Sequence, residues 1–262
     1  MRNKIEQWLV VIATFLTIGV NVLANSLPIN NQTTGEISDQ FDVFFVPAGY
    51  VFAIWFLIYL GLLAFSFYQV LPAQTENPRL QRVRLPYLGA TVANIAWLLC
   101  WHYNQFGWSM LAMALLLISL IVIYLRLDVG LSDATSREKW LVHLPFSIYL
   151  GWITVATIAN ATAVLTFYEW SGWGISPEVW TMIMLSVGVI LAFLINYTRG
   201  DVAYSLVLLW AYVGINIKHQ GTVVGQAAWV AAILLSIVTL IGWFLYRKSK
   251  ATPYEPSGTN AE

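Results

Sequence analysis

Apolar residues dominate the chain in long runs separated by short polar breaks. Eight runs are near the length of about 20 residues that crosses a bilayer as a helix. They lie near 8 to 27, 47 to 70, 85 to 103, 108 to 126, 140 to 163, 177 to 197, 202 to 217 and 225 to 246, the seventh being short. Within three of them, aromatic and polar residues recur every three or four positions and so share one helical face. The second run carries Phe52, Trp55 and Tyr59, the third Tyr87, Thr91, Asn94, Trp97 and Trp101, and the fifth Tyr149, Trp152, Ala156 and Asn160. The first run has its own polar stripe, Thr14, Thr17, Asn21 and Asn25, as expected of a span whose one side faces other helices. A cleaved leader would share the basic start and the small-residue end Ala24-Asn25-Ser26, but the full length and this stripe favour a retained span. The pattern predicts an all-α, polytopic transmembrane bundle.

Composition agrees. Of 262 residues 59% are hydrophobic and 10% charged, against about 25% charged in ordinary soluble domains. The thirteen tryptophans exceed what two interfacial belts need, so some are expected to line an interior. Twelve of the thirteen Lys and Arg residues fall on one side of the alternating spans, Lys218 being the exception. The positive-inside rule then places both termini in the cytoplasm, as in a bacterial-type inner membrane. Arg79, Arg82 and Arg84 are read as one cytoplasmic loop, and the segment 247 to 262 as a disordered cytoplasmic tail.

The aromatic faces coincide in depth. At about 1.5 Å per residue from the outer helix ends, Trp55, Trp97 and Trp152 lie roughly 12, 9 and 16 Å deep, all in the outer half. A buried amide in a membrane needs a partner, and flat apolar walls with a few polar groups make a ligand cavity. The faces are therefore expected to meet in an outward-opening pocket. The polar segment 28 to 46, read as a loop without periodicity, would be its lid, and Pro47-Ala48-Gly49 a sharp turn at its rim.

These residues resemble the TspO/MBR family of tryptophan-rich sensory and translocator proteins. The family's Pro-Pro-x-Trp-Val-Phe motif corresponds to Pro47-Ala48-Gly49-Tyr50-Val51-Phe52, followed by Trp55 and Ile58-Tyr59. Its Asn-x-x-Trp corresponds to Asn94 and Trp97, and its Pro-Tyr-x-x-Trp-x-x-x-Ala-x-x-x-Asn to Ile148, Tyr149, Trp152, Ala156 and Asn160. The chain departs in Ala48, in Ile148 with Pro145 three residues earlier, and in a Phe52 to Trp55 spacing one residue shorter than usual. The resemblance covers about residues 8 to 165. It implies a five-helix core (1 to 165) extended by three further spans (166 to 246), with a pocket for a tetrapyrrole, sterol or isoprenoid ligand. Its expected ligand-binding residues are Pro47, Phe52, Trp55, Tyr59, Asn94, Trp97, Trp101, Tyr149, Trp152, Ala156 and Asn160.

The expected partners are a hydrophobic small molecule and the bilayer; nucleic acid is not expected, and a homodimer is left open. No cofactor is required, with porphyrin or haem entering only as a ligand. No carboxylate pair, zinc-ligand spacing or phosphate-binding glycine loop is present, so catalytic and metal residues are not assigned. His102 is read either as an axial ligand to haem iron or as a hydrogen-bonded interfacial residue, His143 as structural and His219 as solvated. The outer loops carry Glu36, Asp39, Asp42, Glu169 and Glu178 against Lys218, which disfavours a diacid ligand arriving from outside. A small-solute or lipid transporter and a tetrapyrrole-degrading enzyme are the alternative functions.

Overall fold

The computed structural model describes residues 2–27 and 29–251. Every regular element among them is helical: α1 (Arg2–Ser26), α2 (Thr34–Asp39), α3 (Ile54–Val70), α4 (Pro78–His102), α5 (Phe106–Arg126), α6 (Ser136–Glu138), α7 (Leu144–Phe167), α8 (Pro177–Arg199), α9 (Val202–Lys218) and α10 (Val223–Ala251). Seven helical segments are long and apolar enough to cross a membrane, and α9, at 17 residues, is the short eighth. The segment 252 to 262 of the expected tail lies outside the described residues. Its first residues are corrected: Arg247, Lys248 and Lys250 continue α10, and Arg247 sits over the Trp243 ring at 4.1 Å.

Local chemistry sets the helix ends. Asn77 accepts from the Arg79 backbone N–H at 3.1 Å, with Pro78 in the first turn of α4. Gly200, at φ 64°, ends α8 in the left-handed conformation that glycine tolerates best. Pro86 interrupts α4 and frees the carbonyl of Arg82, four residues back. Arg126, at the end of α5, donates to that carbonyl at 2.8 Å, so the neighbouring helix closes the gap.

Helices α1, α3, α4, α5 and α7 pack as one group, and α9 carries α8 and α10 against α7. At the Lys/Arg-rich end the first group is tied by polar contacts. Arg84 does not lie in a loop: it sits two turns inside α4, fully buried, donating to Gln69 Oε1 (3.3 Å) and to the carbonyls of Gln74 (3.3 Å) and Asn3 (3.4 Å). A buried cation survives only with such partners, here an amide oxygen and two backbone carbonyls. Gln7 and Gln69 exchange side-chain to backbone bonds at 2.5 and 2.9 Å, joining α1 to α3. Arg79 reaches Glu138 through two bonds of 2.9 and 3.1 Å, beside a π-helical turn, Lys139–His143, that leads into α7.

A second junction joins the last three helices to the first group. Asp201 caps α9 by accepting from the Tyr204 N–H at 3.3 Å, and it accepts from the Tyr124 hydroxyl of α5 at 2.8 Å. Burial pushes its carboxyl above the ordinary value, against the opposing pull of bonds from Ser147 and Tyr124.

Candidate functional site

The chain enters α3 through a tight turn. After Pro47 and extended Ala48 it winds as a 3-10 helix over Gly49–Ala53 and relaxes to α from Ile54. Three residues per turn place Phe52 directly below Trp55, which explains how the shortened spacing still gives one aromatic face. Phe52 meets Trp152 edge-on at 5.7 Å, Trp55 meets Trp152 at 6.2 Å, and Trp55 stacks on Tyr59 at 5.6 Å. From α4, Trp97 stacks on Trp101 at 6.1 Å.

The three stripes do converge. A cavity of about 610 Å³ lies between α1, α2, the turn before α3, and α4, lined by Pro47, Phe52, Trp55, Tyr59 and Trp97 of the expected set. An alcove of about 60 Å³ shares several of these walls and adds Trp101, Trp152, Ala156 and Asn160. Two expected residues do not line either space. Asn94 accepts from Asn21 Nδ2 at 2.8 Å and donates to the Tyr149 hydroxyl at 3.1 Å, so Asn94 and Tyr149 join α1, α4 and α7 alongside the cavity. Their amide and hydroxyl are consumed by each other, as buried polar groups in a membrane require.

Polar walls outside the three aromatic stripes come from α1 and from α2 with its first turn: Asn21, Asn25, Ser26, Thr34 and Ser38. The spacing of Asn21 and Asn25 marked them as interior without showing what they faced. The described part of the expected lid segment, residues 29 to 46, is not structureless. It holds α2, started by a reciprocal box in which Thr33 accepts from the Glu36 N–H while Glu36 accepts from Thr33, holding the Glu36 carboxyl below its ordinary value.

His102 clasps this segment. Its ring nitrogens lie 3.0 Å from Thr34 Oγ1 and 3.2 Å from the Ile29 carbonyl, and its own carbonyl accepts from Asn30 and Gln32 at 3.0 and 3.1 Å. Both nitrogens have protein partners and the side chain is fully buried, so the haem-ligand reading fails and the hydrogen-bonded one holds. His219 is likewise not solvated: half-buried, its ring packs on Phe44 at 5.5 Å.

Trp152, one of the residues that line the alcove, carries a buried polar group without a partner. The Nε1 of Trp152 is buried and makes no hydrogen bond, in a side chain only 2% exposed. Its neighbours differ: Trp97 Nε1 donates to Asn160 Oδ1 at 3.0 Å and Trp101 Nε1 to the Thr34 carbonyl at 3.4 Å.

Helix α9 braces the rim from behind. The Ala48 N–H donates to the Gly214 carbonyl at 3.1 Å, and Trp210 Nε1 donates to the Val51 carbonyl at 3.1 Å. This approach needs a glycine, because a Cβ at 214 would collide with Val51 Cγ2 and come within 3.0 Å of Pro47 Cβ. Lys218 reaches Asp39 of α2 at 3.5 Å.

The sequence matches the TSPO-like protein family over residues 7–241, a span that takes in α8, α9 and most of α10. The chain belongs to this family. Comparison with curated proteins and with solved structures returned no match. Membership of the TSPO-like proteins and the apolar helices together make this an integral membrane protein.

Proposed function

We propose that this TSPO-like protein is a membrane sensory or binding protein. It holds a flat, mostly apolar ligand in the cavity between α1, α2, α3 and α4, with an oxygen of the ligand in the alcove. The observation that carries the reading is the unpartnered Trp152 Nε1. A buried N–H without an acceptor costs about 1–3 kcal/mol, and a ligand oxygen would remove that cost. Phe52, Trp55, Tyr59 and Trp97 supply the faces against which a fused ring system or isoprenoid chain packs. The cavity volume falls in the range of about 300–1,000 Å³ typical of small-molecule sites. Asp39 on the cavity wall and Glu36 nearby favour neutral sterol-like or isoprenoid compounds over a porphyrin diacid. The positive-inside asymmetry supports an outward-facing mouth with the basic end in the cytoplasm.

The test is a binding titration in detergent with cholesterol and with its deoxygenated hydrocarbon, cholestane, for the wild type and Trp152→Phe. The expected result is saturable cholesterol binding, weakened about two- to twelvefold by Trp152→Phe, as for one hydrogen bond of about 0.5–1.5 kcal/mol, with cholestane binding unaffected. Equal cholesterol affinity in the two proteins, or no saturable binding, would overturn the reading.

A further inference from the structure

A second cavity, of about 380 Å³, lies at the acidic end and shares no lining residue with the alcove. Its walls come from the lid segment (Asp42, Phe44), the end of α7 and the following turn (Glu169, Trp170), and the start of α8 (Trp180). Two indoles, a phenyl ring and two carboxylates thus share one concave surface, and the described residues that line it include no Lys, Arg or His.

The turn is built to present these groups. Glu169 and Trp173 both take left-handed backbone, at φ 53° each, between helices α7 and α8. Trp180 Nε1 donates to the Gly172 carbonyl at 3.0 Å, which pins the turn. Trp170 and Trp180 are tilted by 49° with centroids 5.4 Å apart, forming a two-ring wall. Trp173 packs edge-on against Trp170 at 5.3 Å while staying 78% exposed, which shields the outer side of that wall.

We infer that this cavity binds an organic cation carrying an alkylated ammonium group, such as a trimethylammonium. Such a group is apolar on its surface yet charged, so indole faces attract it through the ring quadrupole while Asp42 and Glu169 supply net charge. The nearby cations do not oppose it. Lys218 is occupied by Asp39 at 3.5 Å. Burial and the neighbouring Lys218 hold the His219 pKa below its ordinary value, which leaves the ring uncharged at neutral pH. The site differs from the proposed sterol-type pocket in its walls: no residue of that pocket or its alcove lines it. An ammonium of this kind reaches the cavity either as a free solute or as a lipid headgroup.

The experiment is calorimetric titration of the full chain in nanodiscs of phosphatidylglycerol, which bears no ammonium, with choline and with glycine betaine. Saturable choline binding, at least tenfold weaker betaine binding through repulsion of its carboxylate, and at least tenfold loss of choline affinity in Asp42→Asn plus Glu169→Gln are expected. Trp180→Leu should also lose binding, and Trp152→Phe should retain it. Both carboxamides are near-isosteric at exposed positions, so their effect is read without refolding the turn. No saturable choline heat, or choline binding indifferent to the double carboxamide variant, overturns the inference. Repeating the titration in phosphatidylcholine nanodiscs assigns the source: suppressed choline binding identifies the lipid headgroup, and unchanged binding a free solute.

Discussion

Replacing Asn94 by Leu removes the amide that joins three helices. Asn94 is fully buried, accepting from Asn21 Nδ2 at 2.8 Å and donating to the Tyr149 hydroxyl at 3.1 Å. Asn21 keeps its bond to the Thr17 carbonyl at 2.9 Å, so the variant loses two interhelical bonds without stranding Asn21 entirely. Interhelical side-chain bonds in membrane proteins average about 0.6 kcal/mol and reach about 1.7. Two of them give a loss of about 1–3 kcal/mol, roughly 5- to 150-fold in the unfolding equilibrium. The assay is reversible unfolding in mixed dodecylmaltoside and dodecyl sulfate micelles, followed by near-ultraviolet circular dichroism. A cycle with Tyr149→Phe isolates one bond and should show a coupling of about 0.6–1.7 kcal/mol. Asn94→Leu as stable as the wild type, with no coupling to Tyr149→Phe, would refute the reasoning that this amide helps hold α1, α4 and α7 in place.

Gly214→Val should push α9 away from Val51 and Pro47, destabilising the fold by about 1–3 kcal/mol, as overpacking does, and weakening cholesterol binding at the rim. Unfolding and binding measurements that both match the wild type would sink this. Asp201 gives a pH dependence whose sign follows from burial. Its folded pKa is raised above the unfolded value, so between the two the folded state holds more protons and stability falls as pH rises. Unfolding free energies measured from pH 4 upward should decline through the raised folded pKa. Asp201→Asn should flatten that slope, and an unchanged slope in the variant would show that another group is responsible.

The spans and the aromatic stripes were legible because they depend on local periodicity: one face of Phe52, Trp55 and Tyr59 is fixed by helix geometry whatever surrounds it. Other features depended on partners far along the chain. Arg84 reads as a loop cation until the carbonyls of Asn3 and Gln74 close around it. Trp210 shows no motif, since its acceptor, the Val51 carbonyl, is 159 residues earlier. The start of α2 was visible as Thr33 and Glu36 three apart, a capping box, but no apolar run follows it, and so the segment reads as loop. Asn94 and Tyr149 share faces with cavity residues; periodicity could not tell a wall from a brace, because both positions point inward.

The grip of α9 on the rim has a consequence for biosynthesis. Residues 47 to 51 leave the ribosome long before Trp210 and Gly214, and at about 5–20 residues per second the delay is roughly 10–30 s. Throughout that interval the Ala48 N–H and Val51 carbonyl lack the acceptor and donor they have in the finished molecule. The mouth of the cavity is therefore completed late, by the last helices to be inserted. A nascent chain halted after its fifth span would have all the pocket's tryptophans and no finished doorway.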